Sequence, residues 1–134
     1  MNVPSRRVWT ASLALALANV AAGLSYLIRP PSDVSTPVAS ALNHLAGGAN
    51  VLGILLLSTG LLVLIGWIGD LRVFALIGHG ASFGAFCMGA VAATASALIA
   101  HTGWVSASYA LVVGLGHLLI AQVLPRRPRT DRRQ

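Results

Sequence analysis

Long apolar runs separated by short polar breaks occupy almost the whole chain. Residues 8–28, 45–67, 73–100 and 104–124 contain no Asp, Glu, Lys or Arg. Each run reaches the roughly 20 residues that an α-helix needs to cross a hydrocarbon core. A soluble helical domain carries charge on the outer face of its helices, and these runs have none to place there. Nor do they alternate apolar and polar residues as the strands of a membrane β-barrel do. In lipid the backbone must satisfy its own hydrogen bonds, so each run is predicted to be a helix. The pattern predicts an all-α fold: a four-transmembrane-helix bundle forming a single integral membrane domain over residues 1–134.

The breaks between the runs set the orientation. Arg6 and Arg7 precede the first span, and Arg72 lies between the second and third. Arg126, Arg127, Arg129, Arg132 and Arg133 follow the fourth. An even number of spans puts all of these on one side and leaves Arg29 on the other. The positive-inside rule then predicts a multi-pass protein of the cytoplasmic (inner) membrane with both termini cytoplasmic. Around Arg6 and Arg7 the chain partly resembles a twin-arginine export signal. Cleavage there would move the five tail arginines to the wrong side, so an uncleaved first span is the reading adopted. Residues 66–72 form too short a link for anything but a tight turn, which makes the second and third helices antiparallel neighbours. Asp70 is expected to pair with Arg72 or to cap the third helix. Pro30, Pro31 and Pro37 interrupt helix in the outer loop, and Pro125 ends the fourth span.

Small and weakly polar residues mark where helices meet in lipid, because apolar side chains gain nothing there by leaving one apolar surroundings for another. The first span shows Ser12, Ala16, Asn19 and Gly23 on one face. The second shows Gly47, Asn50, Gly53, Leu57 and Gly60. The third carries Ala81, Ala85, Gly89, Ala93 and Ala97 at a spacing of four, with Gly80 and Gly84 as a small-xxx-small pair. The fourth shows Ser106, Ala110, Val113 and His117. The ridge on the third span is the predicted packing surface, between helices of one chain or between copies. A loose echo between the first and third spans, Arg7-Val8-Trp9 against Arg72-Val73-Phe74, needs gaps and is set aside as coincidence.

Ionisable groups inside a membrane are the usual seat of function. The spans hold no carboxylate, lysine or arginine, which argues against ion-coupled transport and voltage sensing. The intramembrane polar residues are Asn19, Asn50, His79 and His117. Both histidines lie roughly 10 Å from the arginine-bearing ends of antiparallel helices, at 1.5 Å per residue, so they could meet. His44 and His101 sit at the outer boundary. Histidines at these depths would suit bis-histidine haem ligation, a metal or a proton relay. Plain hydrogen bonding between helices is the stronger account of the histidines, and it explains Asn19 and Asn50 as well as a polar path would. Trp9, Trp67, Trp104 and Tyr26 read as interfacial anchors, and Cys87 as an apolar filler. No nucleophile–base pair, phosphate loop or metal-ligand spacing appears. The expectation is therefore no enzyme, no cofactor and no metal.

The formal charge of +6 is concentrated in the tail, residues 125–134. Beside a membrane span such a tail reads as a topology anchor and a contact for anionic lipid headgroups, rather than for nucleic acid. The cationic residues are all arginine, which points to a GC-rich coding sequence. Short length, clustered spans, no soluble domain and the basic tail through Arg133 together resemble bacteriophage holins and holin-like small membrane proteins of high-GC actinobacterial hosts and their phages. The resemblance implies a protein that self-associates and permeabilises the cytoplasmic membrane. Its helix faces would drive association and its tail would tune timing. The rival expectations are a non-catalytic accessory or phage exclusion/immunity subunit that packs against a partner membrane protein, and a small electron carrier with haem between His79 and His117.

Overall fold

The computed structural model describes residues 6–28, 48–101 and 104–124. Residues 29–47, with Arg29, His44 and Gly47, and the tail with Arg126, Arg127, Arg129, Arg132 and Arg133, lie outside them. The described residues form four helices: α1 (Arg6–Ile28), α2 (Ala49–Ile68), α3 (Arg72–Ala100) and α4 (Trp104–Val123). All four are long and apolar enough to span a membrane. Their boundaries follow the apolar runs to within a few residues.

The helices run up and down. Residue pairs across each seam ascend on one helix and descend on the other. Gly23 packs against Gly53 and Leu57 while Gly60 packs against Ala16; Gly66 meets Ala75 while Gly78 meets Val63; Gly114 meets Phe86. The α1–α4 seam is the loosest, and Gly116 there faces the end of the Leu15 side chain. Two seams are close enough to depend on a missing Cβ. A β-carbon built on Gly23 would stand 2.6 Å from the Leu57 amide nitrogen and 2.8 Å from the Gly53 oxygen. One built on Gly78 would stand 2.6 Å from Val63 Cγ2 and 3.0 Å from the Thr59 oxygen. Backbones approach this closely where van der Waals contact, rather than apolar burial, holds helices together.

The outside of the bundle is its greasy side. Ile68, Val105 and Ile99 are more than four-fifths exposed, and Leu98, Val112 and Leu119 are largely so. The inside divides into two zones. Toward the α3–α4 turn lies an apolar cluster of Leu52, Leu56, Ala85, Phe86, Ala90, Ala92 and Ala110. Toward the end bearing Arg6, Arg7 and Arg72, the buried side chains include Ser12, Asn19, His79, Ser82 and His117.

The α2–α3 turn is tight, with a specific cause. The Leu71 N–H donates to the Gly66 oxygen at 2.7 Å and the Asp70 N–H to the Trp67 oxygen at 3.4 Å. This is the paired closure of a Schellman motif, which requires a left-handed residue one place past the cap. Asp70 fills that place with φ 51°. Of the two expected roles, Asp70 takes the ion pair, at 3.9 Å from Arg72 Nε. The α3 cap residue is Leu71, with no side-chain capping bond. Asp70→Gly should therefore raise stability by about 0.5–1 kcal/mol, since left-handed geometry costs a non-glycine residue roughly 1–2 kcal/mol and an exposed ion pair contributes roughly 0–1 kcal/mol. A lowered unfolding midpoint would show that the ion pair outweighs the backbone strain.

Candidate functional site: a buried histidine pair

The face of α1 read from the sequence, Ser12, Ala16, Asn19 and Gly23, is the buried face of that helix. Its two polar members reach across the bundle. Ser12 Oγ lies 2.6 Å from His79 Nε2 on α3. Asn19 Nδ2 donates to Ser82 Oγ, also on α3, at 2.7 Å. From α4, His117 Nε2 lies 3.2 Å from Asn19 Oδ1. The two imidazoles face each other directly, with His79 Nδ1 and His117 Nδ1 2.8 Å apart. From α2, the Trp67 indole N–H donates to Ser12 Oγ at 2.6 Å. Ser82 O–H donates to the Gly78 carbonyl at 2.7 Å. Phe86 stacks on His117 with ring centroids 5.7 Å apart, and Trp9 meets Trp67 edge-on at 6.5 Å. All four helices contribute to one connected polar cluster.

The cluster fixes its own proton positions. The Asn19 amide nitrogen is turned to Ser82, so its oxygen faces His117. An amide oxygen only accepts, so His117 carries a proton on Nε2. A neutral imidazole has one N–H, which leaves His117 Nδ1 as an acceptor. His79 must then donate from Nδ1, its Nε2 accepts, and Ser12 O–H donates to it. The bonds run one way from Trp67 through Ser12, His79, His117, Asn19 and Ser82 to the Gly78 carbonyl. The two histidines are opposite tautomers. Two neutral rings satisfy every position, and no buried side-chain nitrogen or oxygen among the described residues lacks a partner. An unpaired polar group in an apolar interior costs several times what a paired one gains, so the complete set is a physical requirement of burying it.

Of the sequence-predicted polar residues, Asn19, His79 and His117 are brought together. Asn50 is not: it lies exposed at the start of α2. On the predicted α3 ridge, Ala85, Ala93 and Ala97 are buried and Gly89 half-buried. Gly80, Ala81 and Gly84 point outward, and a β-carbon on Gly80 or Gly84 would meet nothing within 4 Å. Those three do not pack against any other helix among the described residues. The reason is geometric: a spacing of four drifts about 40° around the helix per step, so the start and end of such a ridge face different ways. Arg6 and Arg7 are exposed and Arg72 half-buried at one end of the bundle. His101 caps α3 in left-handed geometry, exposed.

Sequence reasoning missed three members of the cluster. The span-end position of Trp67 predicts an interfacial anchor, yet its N–H turns inward. Ser12 reads in the sequence as a small packing residue and Ser82 carries no mark of its own, yet both bond within the cluster. The signal available was spacing: Ser82 lies three residues past His79, on the same face, and Asn19 lies seven past Ser12. Haem between the histidines does not fit this geometry. Nitrogens on opposite sides of a metal stand about 4 Å apart at metal–nitrogen distances near 2 Å, and these are in direct hydrogen-bond contact at 2.8 Å. No group of three or more metal-ligating side chains occurs among the described residues.

No protein-family model, curated protein or solved structure matches the chain. Fold and site together define a helical bundle with an apolar exterior and a sealed polar cluster inside.

Proposed function

We propose that the chain is a multi-pass protein of a cytoplasmic membrane, with both termini cytoplasmic, which self-associates and permeabilises that membrane in a holin-like manner. The observation that carries this reading is the outward face of α3. Gly80 and Gly84, with exposed Ala81, form a notch that none of the described residues fills, between the exposed side chains of Ile77 and Met88. Small residues on a lipid-facing helix allow a second helix to approach closely. At the polar zone of the described bundle the side chains are hydrogen-bonded to one another instead of lining a channel. A lesion would therefore form between copies and not through one. Arg6, Arg7 and Arg72 at one end, with the tail arginines, suit anionic headgroups. The source in this reading is a high-GC actinobacterial host or its phage.

The sealed interior also favours a second reading, an accessory or phage exclusion/immunity subunit that offers the same notch to a partner membrane protein. Inducible expression with membrane potential and dye entry followed over time separates the two. A silent interval and then abrupt depolarisation is the expected result. Gly84→Leu should shift the onset of depolarisation at least several-fold while leaving the folded monomer intact. Steady growth and an intact potential, with insertion confirmed, would remove the holin reading and leave the partner-dependent subunit.

A further inference from the structure

We propose that the His79–His117 pair is a binding site for one excess proton, filled and emptied only from the arginine-bearing end of the bundle. This holds whether or not the chain permeabilises membranes.

The cluster accepts one proton without losing a hydrogen bond between the rings or to Asn19. The Ser12 hydroxyl proton passes to His79 Nε2, and Ser12 Oγ is reprotonated by the incoming proton. His79 then gives its Nδ1 proton to His117 Nδ1. One proton has entered, and the bonds between Ser12 and His117 have reversed. His79 ends neutral, donating from Nε2 to Ser12 Oγ. His117 ends as the cation, donating from Nδ1 to His79 and from Nε2 to Asn19 Oδ1. Ser12 Oγ has two lone pairs for the Trp67 and His79 donors. Its own O–H turns to a backbone carbonyl one turn back, the common acceptor for a helical serine. A second proton has no place, because it would set N–H against N–H across 2.8 Å.

The surroundings favour the charge on His117. Its ring stacks on Phe86 at 5.7 Å, within the range at which an aromatic face attracts a cation, and the Asn19 oxygen accepts from it. No carboxylate, lysine or arginine of the described residues contacts either ring. The partners are Ser12 and Asn19 from α1, Trp67 through Ser12 from α2, Phe86 from α3 and the opposing histidine. Arg6, Arg7, Asp70 and Arg72 sit at the helix ends, and Cys87 lies two turns beyond His79 on α3.

Access is one-sided for two reasons. Past His117 the next link is an amide, which accepts a hydrogen bond but does not hand a proton on, and the chain of bonds then ends at the Gly78 carbonyl. Past Ser82, toward the α3–α4 turn, lies the apolar cluster of Leu52, Leu56 and Phe86. At the other end, among the described residues, the half-buried Trp67 indole stands over Ser12, propped by Trp9, which is 44% exposed. An indole N–H is a donor only, so Trp67 is not a relay. It is a cover that must swing aside.

The full chain, with ¹⁵N-labelled histidine in lipid nanodiscs, tests this by NMR. At neutral pH His79 should be protonated at Nδ1 and His117 at Nε2, with scalar coupling across the Nδ1–H···Nδ1 bond. On acidification one proton per chain should bind, and His79 Nε2 should become protonated. Trp67→Phe, which keeps an aromatic cover but removes the donor, should speed exchange of the ring protons with water several-fold. Identical tautomers, two independently bound protons, or no uptake before unfolding would overturn the site. Sidedness is read in proteoliposomes at a protein density too low for dye entry. A pH gradient should decay no faster than in protein-free vesicles, and faster decay without dye entry would overturn one-sided access.

Discussion

Gly23→Ala and Gly78→Ala should each cost the bundle about 1–3 kcal/mol, the range for forcing extra methyl groups into a packed core. Gly84→Ala should cost nothing and raise stability by as much as about 1 kcal/mol through helix propensity. All three changes add the same single carbon, and only its surroundings differ. At Gly23 the new methyl would meet the backbone of α2, at the Leu57 nitrogen and the Gly53 oxygen. Backbone does not rotate away as a side-chain tip does, so α1 and α2 must part along their whole seam. At Gly78 the obstacle is Val63, a β-branched residue of limited rotamer freedom, together with the Thr59 carbonyl. At Gly84 the space is open. Unfolding of the three variants in mixed micelles under dilute conditions ranks them. If Gly23→Ala proved as harmless as Gly84→Ala, the α1–α2 seam described here would be wrong. If Gly84→Ala weakened the protein only at high protein density, the outward notch would be an association surface.

The same contrast explains what could be read from the sequence. Helix existence and approximate bounds followed from charge-free runs, because the hydrocarbon length and the backbone's need for internal hydrogen bonds leave little else to decide. The buried face of α1 was also legible. Ser12, Ala16, Asn19 and Gly23 alternate spacings of four and three, which keeps a stripe on one side of a helix. On α3 the run of small residues is dense enough that a spacing of four can be picked out although it winds around the axis. Rotation of such a helix is not set by composition, since lipid accepts Leu, Ile and Val on any face. It is set by the polar residues that must find partners, and these were read one helix at a time. Depth placed His79 and His117 at the same level. That they touch, and that Trp67 turns inward to complete the chain of bonds, depends on the crossing of four helices. Gly78 makes the point again. It permits the close α2–α3 contact that helps set the rotation of His79 one residue on, yet in the sequence it is one small residue among many.

His117→Ala should destabilise the bundle by about 2–4 kcal/mol, and His79→Ala should do so by a similar amount. Each removes a fully buried ring and strands the polar groups that faced it. Without His117, the Asn19 oxygen and His79 Nδ1–H lose their partners, and Phe86 loses the ring stacked on it. Without His79, His117 Nδ1 loses its donor and a void opens beside Ser12. An unsatisfied buried group costs roughly 1–3 kcal/mol. A hydrogen bond between helices in lipid contributes less, about 0.6 kcal/mol on average, so most of the loss comes from the stranded groups and the void. That division has a consequence for the double variant. Once one ring is gone the chain of bonds is already broken, so removing the second strands fewer new groups. The double variant should fall short of the sum of the two single losses by about 1–2 kcal/mol, the size of coupling seen between groups in one network. Asn50→Leu serves as the control, because Asn50 is exposed and outside the cluster; it should stay within about 0.5 kcal/mol of the parent. Strictly additive losses at the two histidines would mean that they act as separate fillers and that the chain of bonds is not a unit. A coupled loss, with Asn50→Leu silent, would show that one polar cluster fixes how all four helices turn toward each other.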